Sequence, residues 1–230
     1  MRNLLLAALS AEDRALLTPG LAQVDLERGR LLYDPGDRIE HVYFPHDGVI
    51  SLMTLMDSGA AIESATIGRE GALGLAAAAA PRQSLVRAIV QTPTRAARIG
   101  AAQLHEAWQK SPRIRELVDL HGEALFAHAI QSVACNALHS VEARFCRWLL
   151  TCHDRISTDT IALTQEFLAD MLGVQRTTVT AVARSLQEKG AIRYRRGVVD
   201  IIDRLGLESL ACECYAIIHR TYERLLPQKA

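Results

Sequence analysis

The sequence of 230 residues lacks the features that would assign it to a membrane or a secreted class. It has no apolar run near the roughly 18 residues that a membrane-spanning helix needs. A short apolar patch near Met1 is followed at once by acidic residues, which is typical of an amphipathic helix and not of a signal peptide. We therefore predict a cytoplasmic protein with no membrane partner.

The net charge and the cysteine content do not assign the protein to a class either. The formal net charge is zero, so any sign of a nucleic-acid partner must be local. The five cysteines are an odd number and none precedes Cys135, which argues against a disulfide framework. Cys212 and Cys214 are two residues apart on a predicted helix, so they should point to different sides and make a poor metal pair.

Motifs of common enzymes are missing as well. The sequence contains no G-x-G-x-x-G, no P-loop, no nucleophile elbow and no zinc-type spacing of Cys and His. Its Asp, His and Ser residues are scattered, and no pattern places them together. We predict that the protein is not an enzyme and holds no resident metal or other cofactor.

The most informative stretch runs from Gln165 to Arg184. Its apolar residues are spaced by four, two, five and three positions, which suits two helices whose apolar faces meet. Gly173 lies where the chain must turn, and the small Ala169 lies where the helices would touch. An ordinary helical hairpin is the alternative, but these features together favour a helix-turn-helix. The apolar positions are Leu168, Leu172, Val174, Val179 and Val182.

Polar and partly basic residues face outward near the start of the second predicted helix. They have the size and chemistry to contact base edges in a major groove. We therefore predict that this helix reads DNA sequence. The predicted base-reading residues are Gln175, Arg176, Thr177, Thr178 and Thr180.

Two short β-rich runs follow and flank a basic turn that ends at Gly197. This order predicts a β-hairpin, and a helix-turn-helix followed by a hairpin is a winged helix. Six Lys or Arg and one acid lie between Arg176 and Arg196. A solvated face is the alternative, but a basic run after a groove-shaped motif favours contact with phosphates. The predicted phosphate contacts are Lys189, Arg193, Arg195 and Arg196.

The chain before this motif has two further parts. From Val24 to Ile99, short β-rich runs separated by turn signals predict a small barrel or jelly roll. A short helix follows from Ala101 to Lys110. The longest helix begins at Pro112 and runs to about Ala137, and its apolar residues cover so much of its girth that it needs two surfaces to pack on. The β-domain supplies one surface, and a second copy in a parallel coiled coil supplies the other. The residues predicted for this dimer helix are Ile114, Val118, His121, Leu125 and His128.

In these features the sequence resembles the cyclic-AMP receptor protein and fumarate-nitrate regulator (Crp/Fnr) family of bacterial transcription regulators. The resemblance covers nearly the whole chain. It implies an α+β fold with a cyclic-nucleotide-binding-like β-barrel or jelly roll over residues 1–111. A dimerisation helix and hinge should follow over 112–138, and a winged helix-turn-helix with a C-terminal helix over 139–230. It also implies a homodimer on an inverted repeat of double-stranded DNA, controlled allosterically by an effector, with RNA polymerase as a candidate partner.

The resemblance also locates a phosphate-binding cassette and shows how it departs from the family's pattern. Nucleotide binders of the family have Glu where this chain has Ala72, and Gln83 interrupts their arginine-serine pair. We expect a pocket that persists as a fold but is degenerate as a cyclic-nucleotide site, with an unidentified effector. The N-terminal cysteine cluster that holds an iron–sulfur centre in the oxygen-sensing branch of the family is missing. The residues of the degenerate pocket are Gly71, Ala72, Leu73, Gly74, Arg82 and Gln83.

Two alternatives remain open. The protein could be a ligand-independent DNA-binding dimer whose β-domain is only a scaffold. It could also be a haem or metal sensor that uses His121 or His128, although histidines satisfied within an interface are the favoured interpretation. In the resembling activator, Glu follows the position of Arg176 and a second Arg follows one turn later. Thr177 and Ala181 stand there in this chain, so its operator should differ.

Overall fold

The N-terminal part of the computed structural model, which describes residues 3–226, is built from two antiparallel sheets. The strands are β1 Ala22–Leu26, β2 Leu31–Tyr33, β3 His41–Pro45, β4 Ile50–Leu55, β5 Ala61–Ile67, β6 Arg87–Val90 and β7 Thr94–Gly100. One sheet has the order β1-β7-β3 and the other has the order β2-β6-β4-β5. Side chains from both sheets meet in one core, so the sheets pack face to face as a jelly roll. No ladder within residues 3–226 joins the two sheets, so a closed barrel is not formed.

Alternation along the strands explains this packing. In β6, Ala88 and Val90 are buried while Arg87 and Ile89 are half-buried, as expected when successive side chains point to opposite faces. Gly59 closes the β4–β5 hairpin with a φ of 84°, a conformation that glycine adopts without steric cost. The predicted β-domain is therefore confirmed.

Helices enclose one side of the jelly roll and form most of the C-terminal part. The long helix starts at Pro112, and its N-cap Ser111 accepts a hydrogen bond from the Ile114 N–H, an arrangement typical of helix starts. Its predicted start is confirmed. The helices are α1 Leu4–Ala7, α2 Ala11–Leu17, α3 Ala101–Lys110, α4 Pro112–Leu138, α5 Val141–His153, α6 Gln165–Leu172, α7 Arg176–Glu188, α8 Arg204–Leu210 and α9 Cys214–Leu225.

The apolar side chains of α4 pack differently from the prediction. Ile114, Val118, His121 and His128 are at most 9% exposed, because they pack inside their own protomer. Leu125 is half-buried against the jelly-roll core. The four buried residues are covered within their own protomer, which corrects their assignment to the dimer face. The exposed apolar side chains of α4 are Phe126, Ile130, Val133 and Leu138.

The C-terminal part confirms the winged helix-turn-helix. Its sheet has the order β8-β10-β9, with β8 at Thr160–Ala162, β9 at Ile192–Arg195 and β10 at Val198–Ile201. The single C-terminal helix expected after the wing is wrong, because the chain is extended at Ala211 and forms two helices, α8 and α9. The division lets Leu207 enter the DNA-binding core while Ile218 enters the core beside the jelly roll. No helix among the described residues has the length and hydropathy to cross a membrane.

Candidate nucleic-acid interface and effector pocket

The turn between α6 and α7 has the geometry that the sequence predicts. Gly173 adopts a left-handed φ of 62°, which favours glycine at the end of a helix. The Val174 N–H donates to the Ala169 carbonyl at 3.0 Å, which closes the turn. Leu168 and Val179 are fully buried in the core that α6 and α7 share. The apolar positions therefore fix the angle at which α7 leaves the domain.

The outward face of α7 begins at its N-cap, Gln175, whose side chain makes no capping hydrogen bond. Gln175, Arg176, Thr177 and Thr180 are exposed, whereas Thr178 is half-buried and less accessible to a base. Because the first turn of a recognition helix is the part that enters the major groove, these exposed side chains can reach base edges.

Contacts with α6 hold Arg176 in place. Its Nη1 lies 2.9 Å from Glu166 Oε1 and its Nε donates to Gln165 Oε1 at 3.3 Å. Thr180 donates to the same Gln165 oxygen at 3.0 Å. The side chains of Arg176 and Glu166 are 65% and 61% exposed, so this ion pair contributes little and DNA can replace it cheaply.

The tip of the wing is a two-residue turn with a free positive charge. Arg196 and Gly197 both have positive φ, at 48° and 77°, which is the geometry of a type I′ hairpin turn. Arg195 and Arg196 are exposed, and neither forms an ion pair within residues 3–226. They are the wing side chains best placed for phosphates.

The other two predicted phosphate contacts are already paired. Arg193 Nε lies 3.2 Å from Asp200 Oδ2. Lys189 binds Glu142 at the start of α5, and this hydrogen bond lowers the pKa of the Glu142 carboxyl. Lys189 also lies about 20 Å along α7 from Arg176, given a rise of about 1.5 Å per residue. Both residues are thus weaker candidates than Arg195 and Arg196.

A cavity of about 1060 Å³ lies between the jelly roll and α4, where the sequence predicts a degenerate effector pocket. Of the six predicted residues, all except Gly71 line it. Its walls are largely apolar, with Leu52, Ile67 and Leu125 among them. Its polar side chains are Tyr33, Arg38, Arg82, Gln83, Ser84, Asp119 and His121.

His121 reaches from α4 into the cassette and occupies one of its backbone donors. The Ala72 N–H donates to His121 Nε2 at 3.1 Å, and a Cβ atom at Gly71 would lie only 2.9 Å from that nitrogen. Gly71 therefore permits the contact. Burial lowers the pKa of His121 to about 4, so the ring is neutral at pH 7 and Nε2 is free to accept. The amide that could face a ligand is thus satisfied by the protein itself.

Strand β5 connects the jelly roll to the DNA-binding part. A Cβ atom on Gly173 would lie 3.0 Å from Ile62 Cδ1, so the turn of the helix-turn-helix rests on this strand. Glu63 accepts from Trp148 Nε1 at 3.0 Å and from Ser51 Oγ at 2.6 Å, and burial raises its pKa to about 7. The sequence pattern did not identify this link, although an acid inside a β-rich run is an unusual residue choice.

A second polar link joins the end of β5 and the segment after it to Arg155, which follows α5. The buried Arg155 donates to Thr66 Oγ1 and to Glu70 Oε1. A Cβ atom at Gly68 would lie 2.3 Å from Arg155 Cδ, so glycine permits the arginine to pass. The jelly roll therefore contacts the DNA-binding part directly, and a change in one can move the other.

Comparison with known proteins agrees with this architecture. A model of the Crp-like helix-turn-helix domain matches residues 143–210, and a model of the cyclic nucleotide-binding domain matches residues 23–111. The chain belongs to the Crp/Fnr family of transcription regulators. It is therefore a DNA-binding transcription regulator with an effector-type domain.

Individual Crp/Fnr relatives are distant in sequence. The global nitrogen regulator of Nostoc sp. is 23% identical over 185 residues, which cover 76% of this chain and 82% of that protein. The structure of FixK2 from Bradyrhizobium japonicum aligns with a TM-score of 0.70 at 17% identity, covering 84% of this chain and 98% of that one. A Crp/Fnr regulator from Eubacterium rectale aligns with a TM-score of 0.66 at 19% identity, covering 88% and 94%. These structural likenesses show the fold.

Proposed function

We propose that the protein is a non-enzymatic homodimer that binds an inverted repeat of double-stranded DNA under the control of a small effector. One observation carries this proposal. The same protomer presents an unobstructed start of α7 beside a basic wing and an exposed apolar stripe on α4. A two-fold dimer through α4 would present two copies of the reading surface to one duplex.

The apolar stripe of α4 supports the dimer. Phe126, Ile130 and Val133 are 68%, 54% and 72% exposed, and Ala137 follows on the same face. Their spacing of four, three and four is that of a coiled-coil seam. A monomer would leave these side chains in water, so a second copy packed on the same stripe is the arrangement that buries them.

The cavity supports allosteric control. It is lined by Leu125 and Gly122 of α4, which also carries the stripe, and by Ile67 of β5, which also carries the links to the DNA-binding part. A ligand there touches both elements, so it can favour one packing of the helices over another. Because Ala72 offers no side-chain acceptor for a ribose hydroxyl and its N–H is bonded to His121, we propose a largely apolar effector and not a cyclic nucleotide.

A ligand-independent dimer is the second candidate, and the hydrogen bond between Ala72 and His121 favours it. That bond closes the cassette with the protein's own α4. A haem or metal sensor using His121 or His128 is less well supported, because both rings are buried and His121 Nε2 is already engaged. In either candidate the protein acts on DNA, so we place it in the cytoplasm, where RNA polymerase is a further candidate partner.

Selection of bound DNA from a random pool, with and without a cell extract, tests the proposal. We expect an inverted repeat whose half-site centres are about one helical turn apart. Enrichment of single half-sites would contradict the dimer, and identical affinity with and without extract would favour the ligand-independent candidate. Calorimetric titration should show no cyclic AMP or cyclic GMP binding tighter than roughly millimolar, because Ala72 leaves a ribose hydroxyl without a side-chain acceptor.

A further inference from the structure

Three cysteines and a histidine from two distant parts of the chain meet at the C-terminal end of α4. Cys135 and His139 lie four residues apart, so they share one face at the end of this helix. Cys212 lies in the extended link between α8 and α9, and Cys214 is the first residue of α9. Because the link is not helical, Cys212 and Cys214 both face the cluster, which corrects the expectation that they point to different sides.

The geometry of these four side chains is that of a metal site. Their ligand atoms all lie within 4.8 Å of one another. Cys135 Sγ lies 3.5 Å from Cys212 Sγ, and Cys214 Sγ lies 3.5 Å from His139 Nδ1. A tetrahedral zinc ion with zinc–sulfur bonds of about 2.3 Å needs sulfur–sulfur separations of roughly 3.8 Å. Small side-chain adjustments therefore suffice to close four bonds around one ion.

Neighbouring groups orient the ligands as in known metal sites. His139 presents Nδ1 to the cluster, while its Nε2 lies 3.1 Å from Glu213 Oε2. A carboxylate on the outer nitrogen of a ligating histidine fixes the ring and makes the inner nitrogen a better ligand. Gln131 Nε2 lies 3.0 Å from Cys214 Sγ and can donate to a thiolate there. Neither contact is needed to pack four side chains in an apolar core.

The charge around the cluster suits a bound divalent ion. Three thiolates and one neutral imidazole around such an ion carry a net charge of −1. Arg147 is 7% exposed, and its Nε has no hydrogen-bond partner in the part of the chain that the structure describes. Its positive charge acts on both Cys135 and Cys212. A loaded site would place further negative charge beside this buried guanidinium.

We propose that Cys135, His139, Cys212 and Cys214 bind one zinc ion that clamps the start of α9 to the end of α4. Soft thiolates with one imidazole select zinc among the common divalent ions, and four protein ligands leave no open position for catalysis. The clamp lies beside the His139–Ser140 break that separates α4 from the DNA-binding part. Metal binding should therefore stabilise the docking of α9 against α4.

Metal analysis of the full chain, purified in reductant, tests the site. We expect about one equivalent of zinc per chain in the wild type and a loss of most of it in Cys214→Ser and His139→Ala. The matched controls are Cys152→Ser and His153→Ala. Cys152 is a buried thiol outside the cluster, and His153 likewise pairs with a carboxylate. Equal zinc in the cluster variants and the controls would overturn the proposal.

A cobalt titration keeps the test valid if a cysteine variant fails to fold. Wild-type protein stripped with a chelator should take up one Co²⁺ per chain and show the absorption bands of a tetrahedral, thiolate-bound ion. His139→Ala should bind Co²⁺ at least about tenfold more weakly, the order of effect expected for a first ligand or its immediate support. No uptake by the reduced wild type would refute the site. A Cys135–Cys212 disulfide that persists in reductant, with no metal, would also refute it.

Discussion

The reading surface of α7 and the cassette of the jelly roll differ in what satisfies their polar groups. Arg176 pairs with Glu166 on the surface, where both side chains are more than half exposed. The Ala72 N–H is paired with His121, and both residues are buried. An exposed ion pair is worth about 0–1 kcal/mol, whereas breaking a buried hydrogen bond costs about 1–3 kcal/mol. The first surface is therefore open to a partner, and the second is closed by the protein itself.

This difference bears on how the Crp/Fnr architecture is used here. The surface that must meet DNA keeps only weak contacts that DNA can replace. The cassette has no side-chain acceptor at Ala72, and the N–H of that residue is bonded to α4. A ligand that enters the cavity must either leave that bond intact or compensate for its loss.

Disrupting the dimer should have the largest effect on DNA affinity, because it halves the reading surface and leaves the cassette unchanged. Ile130→Glu places a charge in the proposed seam. We expect a monomer, with affinity for the full inverted repeat lowered by about 100-fold or more, since linked half-sites gain about 10²–10⁴. Sedimentation equilibrium measures the oligomeric state, and fluorescence anisotropy measures the affinity for DNA. Leu205→Glu changes a residue on α8 that is also exposed, at 77% against 54% for Ile130, and should behave as wild type. A dimeric Ile130→Glu protein with normal affinity would contradict the seam.

The connection between the two regions should respond to pH through Glu63. Its pKa is raised to about 7, above the value near 4.5 in the unfolded chain. The folded state therefore binds more protons between these values, and stability falls as pH rises from about 4.5 to 7. Glu63→Gln keeps a side chain of the same shape that can form hydrogen bonds, but it cannot ionise, so it removes this loss of stability. We expect the variant to be more stable by roughly 3 kcal/mol at pH 8, at about 1.4 kcal/mol per pKa unit, with no such gain at pH 4.

Urea unfolding at pH 4 and pH 8, followed by tryptophan fluorescence, checks the Glu63 prediction. The exposed Glu188→Gln serves as a control that should show little difference at either pH. The same stability difference for Glu63→Gln at both pH values would mean that titration of this carboxyl is not the cause.

Arg176→Ala tests whether the open surface reads bases. An arginine can make a bidentate contact with guanine O6 and N7, so its loss should cost about 1–3 kcal/mol on the selected site and much less on random DNA. Arg196→Ala is the matched control on the wing. It should weaken both DNAs alike and lower the salt slope by about 1. Equal losses on both DNAs for Arg176→Ala, in anisotropy titrations at several salt concentrations, would show that Arg176 holds a phosphate.

Two buried histidines seven residues apart allow the closed cassette to be tested. His121→Phe keeps a ring but removes the acceptor for Ala72, so it should cost about 1–2 kcal/mol of unfolding free energy. His128 Nδ1 has no partner in residues 3–226, and its ring meets the edge of Tyr222 at 6.0 Å. His128→Phe keeps that contact and should cost less. Equal costs in urea unfolding would mean that the bond to Ala72 contributes nothing.

Local patterns were sufficient for the elements that meet DNA. The apolar spacing around Gly173, the basic turn at Arg196 and Gly197, and Pro112 at a helix start each depend on contacts within a few residues. The structure has these features where the sequence predicts them. Short-range sterics and hydrogen bonding fix such features, so they are legible in a sequence without knowledge of the fold.

Contacts between distant residues decided the rest. The sequence indicated that α4 is apolar on several sides, but only packing assigned His121 to the protomer and Phe126 to solvent. Ala72 and His121 are 49 residues apart, and Cys135 and Cys212 are 77 apart. No local periodicity encodes such pairs, because they form only after the jelly roll, α4 and α9 have packed. The sequence by itself therefore determined the helix-turn-helix and its wing, while the tertiary structure decided the closed cassette and the cysteine cluster.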